Sequence, residues 1–164
     1  MMGAGKSTVG PILAQRLGCE FVDLDAEVER EAGRSIVDIF ESEGEAGFRR
    51  RERAAMETWS QRDAVVALGG GAIAQPGASA MLNESGVVVY LRGRVGTLVE
   101  RLGDGSERPL LRGLSPADRA IRVEELLEAR KAAYESARVV VDVDDAGAQR
   151  IAERVQASLE AVQA

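Results

Sequence analysis

The chain has 164 residues, 45% apolar and 29% charged, a composition that bounds it to a single globular domain, 1–164, able to bury a core without disulfide or metal staples. Lys and Arg total 21 against 27 Asp and Glu, and a net charge of -6 argues against a sequence-independent grip on a nucleic-acid backbone. The absence of histidine and the presence of one cysteine, Cys19, exclude a Ser-His-Asp triad, a Cys-His dyad, His-ligated zinc and an internal disulfide. Carboxylates, Lys, Arg and backbone amides are left for any catalysis. No run approaches the roughly 18 apolar residues of a membrane helix, and the N-terminus carries no apolar secretory stretch. A cytoplasmic address without a membrane partner is the expectation.

Val9, Ile12, Leu13 and Leu17 recur at helical spacing, and residues 20–24 then read as a short strand. A charged stretch, 25–31, stops at Gly33, and Ser35 stands ready to cap an apolar helical face built from Ile36, Val37, Ile39 and Phe40 and ended by Gly44. Residues 45–62 are helix-like and heavily charged. Residues 64–68 form a continuous apolar strand that stops in Gly69, Gly70 and Gly71. Pro76 opens a helix to about Ser85, residues 87–91 form another buried strand, and a helix covers 95–101. The Gly-, Pro- and Arg-containing stretch 102–119 is too polar and broken for core and reads as a lid. A helix over 120–136, a strand over 138–142 and a helix over 146–159 complete the chain. Buried β-branched runs alternating with helices predict an α/β fold, a doubly wound parallel sheet covered on both faces, with binding at the carboxyl ends of its strands.

Three features carry chemistry. Gly3-Ala4-Gly5-Lys6-Ser7-Thr8, followed by an amphipathic helix, is the second half of the phosphate-binding loop GxxxxGK[ST]. Glycines there let backbone N–H groups turn inward around phosphate oxygens, Lys6 reaches the β- and γ-phosphates, and Ser7 offers its hydroxyl to Mg2+. Asp23 and Asp25 stand two apart at the end of a strand, positions that share one side; helix capping is an equally ready explanation for the first of them. Arginines at 49–51, 53, 101, 108, 112 and 130 stand out in an acidic chain and suit carboxylate or phosphate. By spacing alone Arg49 is explained by surface pairs with Glu45 and Glu52. Three consecutive glycines after a buried strand point to close backbone approach to a ligand. Cys19 reads as a small buried apolar residue.

Seven ordered segments together carry a resemblance: GAGKST at 3–8, DLD at 23–25, GRSIVDIF at 33–40, FRRRE at 48–52, GGGA at 69–72, RPLL at 108–111 and EARKAAY at 128–134. Across essentially its whole length the chain resembles the shikimate kinase family. The resemblance implies a P-loop NTPase fold of nucleoside-monophosphate-kinase type with a lid at about 102–119 and a substrate-binding helical segment at about 25–62. It also implies an ATP- and Mg2+-dependent phosphotransferase that phosphorylates the 3-hydroxyl of shikimate on the way to chorismate and aromatic amino acids, acting as a monomer. Carried over residue by residue, Gly3, Ala4, Gly5, Lys6, Ser7 and Thr8 would hold ATP phosphates, with Ser7 and Asp23 serving the metal. Asp25 would bind shikimate hydroxyls and take the nucleophile's proton. Arg49 and Arg130 would clamp the carboxylate, Gly69, Gly70 and Gly71 would face the ring substituents, and Phe40, Phe48 and Glu52 would shape the pocket. Arg108 would close over the phosphates and Arg101 would stack near adenine.

Three departures from the family pattern bring expectations of their own. The family places an apolar strand and the first loop glycine ahead of the residues that begin here, so the sheet is expected to lack a central strand. Pro11 predicts a kink in the phosphate-loop helix. Asp142, Asp144 and Asp145 stand where the family often has a basic residue beside adenine. Two other readings stay open: another small-metabolite or nucleotide kinase of the same architecture, and an inactive nucleotide-binding fragment.

Overall fold

Strand β1 (Glu20–Asp23) runs parallel to β2 (Ala64–Ala67) with Phe21 opposite Val65, and β3 (Val89–Arg92) runs parallel to β4 (Val139–Asp142) with Tyr90 opposite Val140. These two parallel pairs are seen in a computed structural model that describes residues 1–103 and 108–163. Parallel strands need long crossovers, and helices supply them: α1 (Lys6–Leu17), α2 (Leu24–Ala32), α3 (Ile36–Trp59), α4 (Ala78–Ser85), α5 (Val95–Leu102), α6 (Pro116–Glu135) and α7 (Ala148–Gln163). The α/β class and the parallel strands are as the alternating pattern predicts. Among the described residues the strands form two separate two-stranded sheets. A cavity between them is lined by Leu68 and Gly69 on one side and by Val88, Val89, Tyr90 and Leu91 on the other. No described helix is long and apolar enough to cross a membrane.

Local chemistry explains most boundaries and corrects several expected ones. Helix α1 starts at Lys6 behind Gly5, which holds φ 90°, and ends at Gly18 with φ 72°. It runs through Pro11 as one helix, although Pro11 offers no N–H to the carbonyl of Ser7. The charged stretch after β1 is helix α2: the Asp23 side chain accepts from the Asp25 amide at 3.1 Å, so the capping explanation of Asp23 holds. Asp25 therefore sits in the first turn of a helix and not on the strand, so the shared-face argument for the two carboxylates does not apply. Ser35 caps α3 as expected, in a reciprocal capping box with Asp38. Pro76 belongs to a turn; α4 begins at Ala78 behind Gly77, which holds φ 74°. Of the expected lid, Leu102 closes α5 and residues from Pro116 form the first turn of α6, capped by Ser115. Lid residues 104–107 lie outside the described residues.

Three apolar clusters hold these layers together. Val9, Leu13, Val141, Val143, Ile151 and Val155 bind α1 and α7 to the β4 side. Leu24, Val28, Ile39, Met56 and Trp59 bind α2 to α3 beside β1. Met1, Tyr90, Leu98, Leu111, Val123 and Tyr134 pack α5, α6 and the segment between them against β3. The strand ends and helix N-termini that carry the sequence motifs are fixed by these contacts. Cys19 is half-buried and free, not fully buried as expected.

Candidate active site

The phosphate-binding loop is shaped by two glycines in the left-handed region, Gly3 at φ 73° and Gly5 at φ 90°. A Cβ on Gly3 would stand 2.6 Å from the Leu98 carbonyl oxygen, so α5 packs directly on the loop. The loop leads into the N-terminus of α1, where free backbone N–H groups and the helix dipole favour an anion. Lys6 lies behind it, donating from Nζ to the carbonyl of Met1 at 2.8 Å. Burial lowers the pKa of Lys6, opposed by the carboxylates of Asp25 and Asp23 and reinforced by the Arg108 charge. Ser7 Oγ donates to Asp23 Oδ2 at 2.5 Å. A hydroxyl and a carboxylate in contact are hard oxygen donors of the kind Mg2+ takes. No cluster of three or more metal-ligating side chains occurs among the described residues.

Beside this loop lies a cleft of about 470 Å³. Its polar lining comes from Asp25 and Glu29 on α2, Arg49 and Glu52 on α3, Arg130 on α6 and Arg108 ahead of α6, with Gly70 and Gly71 supplying backbone. Phe40 and Phe48 close one apolar side with ring centroids 5.0 Å apart, and the Arg49 guanidinium lies over the Phe48 ring at 5.2 Å. Arg49 donates to Glu45 Oε1 at 3.0 Å and to Glu52 Oε2 at 2.7 Å. Both spacing-predicted pairs form, yet the solvated-face reading fails because Glu52 is 1% exposed. Arg130 donates to the Gly70 carbonyl at 3.1 Å, and the Tyr134 hydroxyl donates to the same oxygen. The two guanidiniums thus converge on one end of the cleft, where a carboxylate has two positive forks to meet.

The carboxyls that line the cleft carry perturbed acidities. Burial raises the pKa of Asp25, the Asp23 charge adds to this, and Arg108, Lys6 and Arg49 pull against it. Burial also raises Glu52, opposed chiefly by Arg49. Among the described residues Glu52 Oε1 has no hydrogen-bond partner, while Oε2 accepts from Arg49 and from Gln75 Nε2, the latter at 2.8 Å. Gly69 is not part of the cleft lining; it stands behind it, where an added Cβ would lie 2.2 Å from Glu52 Oε1 and 2.7 Å from Asp25 Oδ1. At Gly71 a Cβ would lie 2.7 Å from the Arg49 guanidinium. These two glycines are required by the packing of charged side chains against the strand exit, a closer cause than ligand approach alone.

Arg108 Nη1 lies 3.5 Å from Asp25 Oδ2 and its charge also acts on Lys6 of the phosphate loop. Arg101 is away from the cleft: its Nη2 donates to the Val143 carbonyl at 2.8 Å. The neighbouring aspartates are engaged by arginines, Asp142 by Arg92 at 2.6 Å and Asp144 by the Arg94 amide at 3.0 Å. Sequence reasoning missed Tyr134 and Gln75 as site residues. Tyr134 stands four residues after Arg130 on one helix face, a spacing that places it beside the clamp; nothing local marks Gln75.

The geometry has counterparts among known proteins. A model of the shikimate kinase family matches residues 2–160. The shikimate kinase of Chlorobium chlorochromatii is 46% identical over 160 residues, covering 94% of this chain and 83% of that one. That of Halorhodospira halophila is 45% identical over 161 residues, covering 97% and 89%. Among solved structures, shikimate kinase from Acinetobacter baumannii in complex with shikimate superposes with a TM-score of 0.92 at 38% identity, covering 99% of this chain and 90% of that one. Shikimate kinase from Aquifex aeolicus superposes with a TM-score of 0.84 at 32% identity, covering 99% and 94%. A P-loop, a cleft with two converging guanidiniums and this breadth of likeness have one explanation: the chain belongs to the shikimate kinase family.

Proposed function

We propose that this chain transfers the γ-phosphoryl group of ATP to the 3-hydroxyl of shikimate, giving shikimate 3-phosphate and ADP. The observation that carries this reading is the cleft beside the phosphate loop, whose lining brings the Arg49 and Arg130 guanidiniums and the Asp25 carboxylate into one cavity. A small ring acid with several hydroxyls needs one anion clamp and one or two hydroxyl acceptors, which is what the cleft offers. A nucleobase pocket would have no use for the clamp, so a nucleotide-kinase reading fits less well.

In this reading Arg49 and Arg130 hold the shikimate carboxylate by charge-assisted forks and set the ring's orientation. Asp25 accepts a hydrogen bond from the 3-hydroxyl, and its raised pKa makes it a better acceptor for the proton released when that oxygen bonds to the γ-phosphorus. The bond from that phosphorus to the β,γ-bridging oxygen breaks, and ADP leaves with the electron pair. Lys6 and the amides at the head of α1 neutralise charge on the phosphates. Mg2+, held by Ser7 and through water by Asp23, would supply further neutralisation of the β- and γ-phosphates. Arg108, paired with Asp25 before nucleotide binds, passes to the transferring phosphoryl group as the segment ahead of α6 closes and excludes water.

The test is product identification. Incubation with Mg-ATP and shikimate is expected to yield a singly phosphorylated shikimate by mass spectrometry, with the phosphate on the 3-oxygen by phosphorus-proton NMR correlation. Phosphorylation of nucleoside monophosphates in its place would overturn the reading.

A further inference from the structure

Helix α3 is broken at Gly44, whose φ of 69° and ψ of -179° form a combination that side-chain-bearing residues avoid. The break leaves two helical halves, 36–43 and 45–59, and both line the cleft: Val37 and Phe40 from the first, Phe48, Arg49 and Glu52 from the second. Phe40 and Phe48 face each other across it at 5.0 Å. A residue outside helical φ/ψ interrupts the regular ladder, so side chains that bridge the kink decide the angle between the halves.

Glu43, the last residue before the break, makes that bridge. Its Oε1 accepts from Arg34 Nη2, on the segment that leads into α3, and from Arg51 Nη2 on the second half at 2.8 Å. Its Oε2 accepts from Arg51 Nε at 3.1 Å, so Arg51 grips the carboxylate with a two-point fork. Arg34 also donates from Nη1 to Ser42 Oγ at 3.0 Å, fixing it to the end of the first half. Space for this clasp is made by Gly47: a Cβ there would lie 2.3 Å from Glu43 Cβ and 2.9 Å from Oε2. Glu43, Arg34, Arg51 and Gly47 are all absent from the cleft lining. Their side chains act on it only through the relative placement of the two halves.

We propose that Glu43 is a positioning residue that sets the aperture of the acid-binding cleft by clasping Arg34 and Arg51 across the Gly44 hinge. This inference rests on the reading of that cleft as the shikimate site. The three side chains are 21% to 39% exposed, a range in which ion pairs add little to global stability, so the clasp shows itself in ligand affinity.

The test is calorimetric titration of shikimate and, separately, of Mg-ADP into the intact protein, the Glu43→Ala variant and the Gly47→Ala variant. Glu43→Ala is expected to weaken shikimate about tenfold while Mg-ADP stays within about twofold and the melting temperature is unchanged. Gly47→Ala, which drives Glu43 off its path without removing a charge or altering a residue of the cleft lining, is expected to weaken shikimate similarly. Shikimate affinity within twofold of the intact protein in Glu43→Ala, or a parallel loss of nucleotide affinity, would overturn the proposal. An intact protein that binds no shikimate overturns the reading of the cleft and this inference with it. Binding by the intact protein with an unaffected Glu43→Ala overturns this inference alone.

Discussion

Arg49 donates from Nη1 to Oε2 of the buried Glu52 at 2.7 Å, and the same carboxylate oxygen takes Gln75 Nε2 at 2.8 Å. The Arg49 guanidinium is therefore held in place by a carboxylate that has left water to do it. Arg49→Ala is expected to raise the KM for shikimate about 100-fold with the KM for ATP within about threefold, a loss of roughly 2.7 kcal/mol confined to one substrate. Arg49→Lys should recover little of it, since a point charge cannot make the fork. Steady-state kinetics with each substrate varied in turn check both.

Gly71 and Gly70 are neighbours with different tolerances. A Cβ at Gly71 would sit 2.7 Å from the Arg49 guanidinium, whereas at Gly70 the nearest atom is the Met2 amide at 3.3 Å. Gly71→Ala is expected to weaken shikimate strongly and Gly70→Ala only mildly, with ATP affinity kept in both. Equal effects on the two substrates would show that the glycines serve the fold and not the clamp.

Asp25→Asn separates chemistry from stability. The folded-state pKa of Asp25 is raised above its unfolded value, so its contribution to stability is fully present below the unfolded pKa and is lost as pH rises through the folded pKa. At neutral pH the charged carboxylate costs stability, and the neutral Asn variant is expected to melt higher than the parent while turning over at a small fraction of its rate. In the parent, turnover should fall as pH drops through the raised pKa, because the base is then protonated. Melting curves across pH and a kcat profile for the parent check the two signs.

Asp23 does two jobs, accepting from Ser7 Oγ at 2.5 Å and from the Asp25 amide at 3.1 Å as the cap of α2. Asp23→Ala is expected to cost about 1 kcal/mol of stability through the lost cap. Ser7→Ala leaves the cap in place; it should leave stability nearly unchanged and raise the Mg2+ concentration needed for half-maximal turnover. Chemical denaturation beside a Mg2+ titration separates the two variants.

The site was legible where its signal is local. The phosphate loop is six residues read by the backbone conformation they demand, and Ser35 and the Gly69 to Gly71 run mark a cap and a strand exit in the same way. Arg49 shows the limit: its spacing to Glu45 and Glu52 gives both pairs, but nothing in the spacing says that Glu52 is buried, which depends on Gly69 and Gln75 some twenty residues on. Asp25 lines the cleft, but not through a strand face shared with Asp23, since the Asp23 cap starts α2 one residue before it. Gln75 and Tyr134 reach the site only through long-range packing, and the position of Arg108 against Asp25 is a tertiary fact without a sequence signature. Helix α2 was harder to read than α7 because its polar run hides two buried apolar residues, Leu24 and Val28, among five charges.

The measurement that bears most directly on the central claim is ADP release from Mg-ATP, coupled to a spectroscopic readout, with and without shikimate, on the intact chain and on Lys6→Ala. The account predicts release that depends on shikimate, saturates with it and disappears in Lys6→Ala. Release that is indifferent to shikimate, or none with either substrate present, would contradict it.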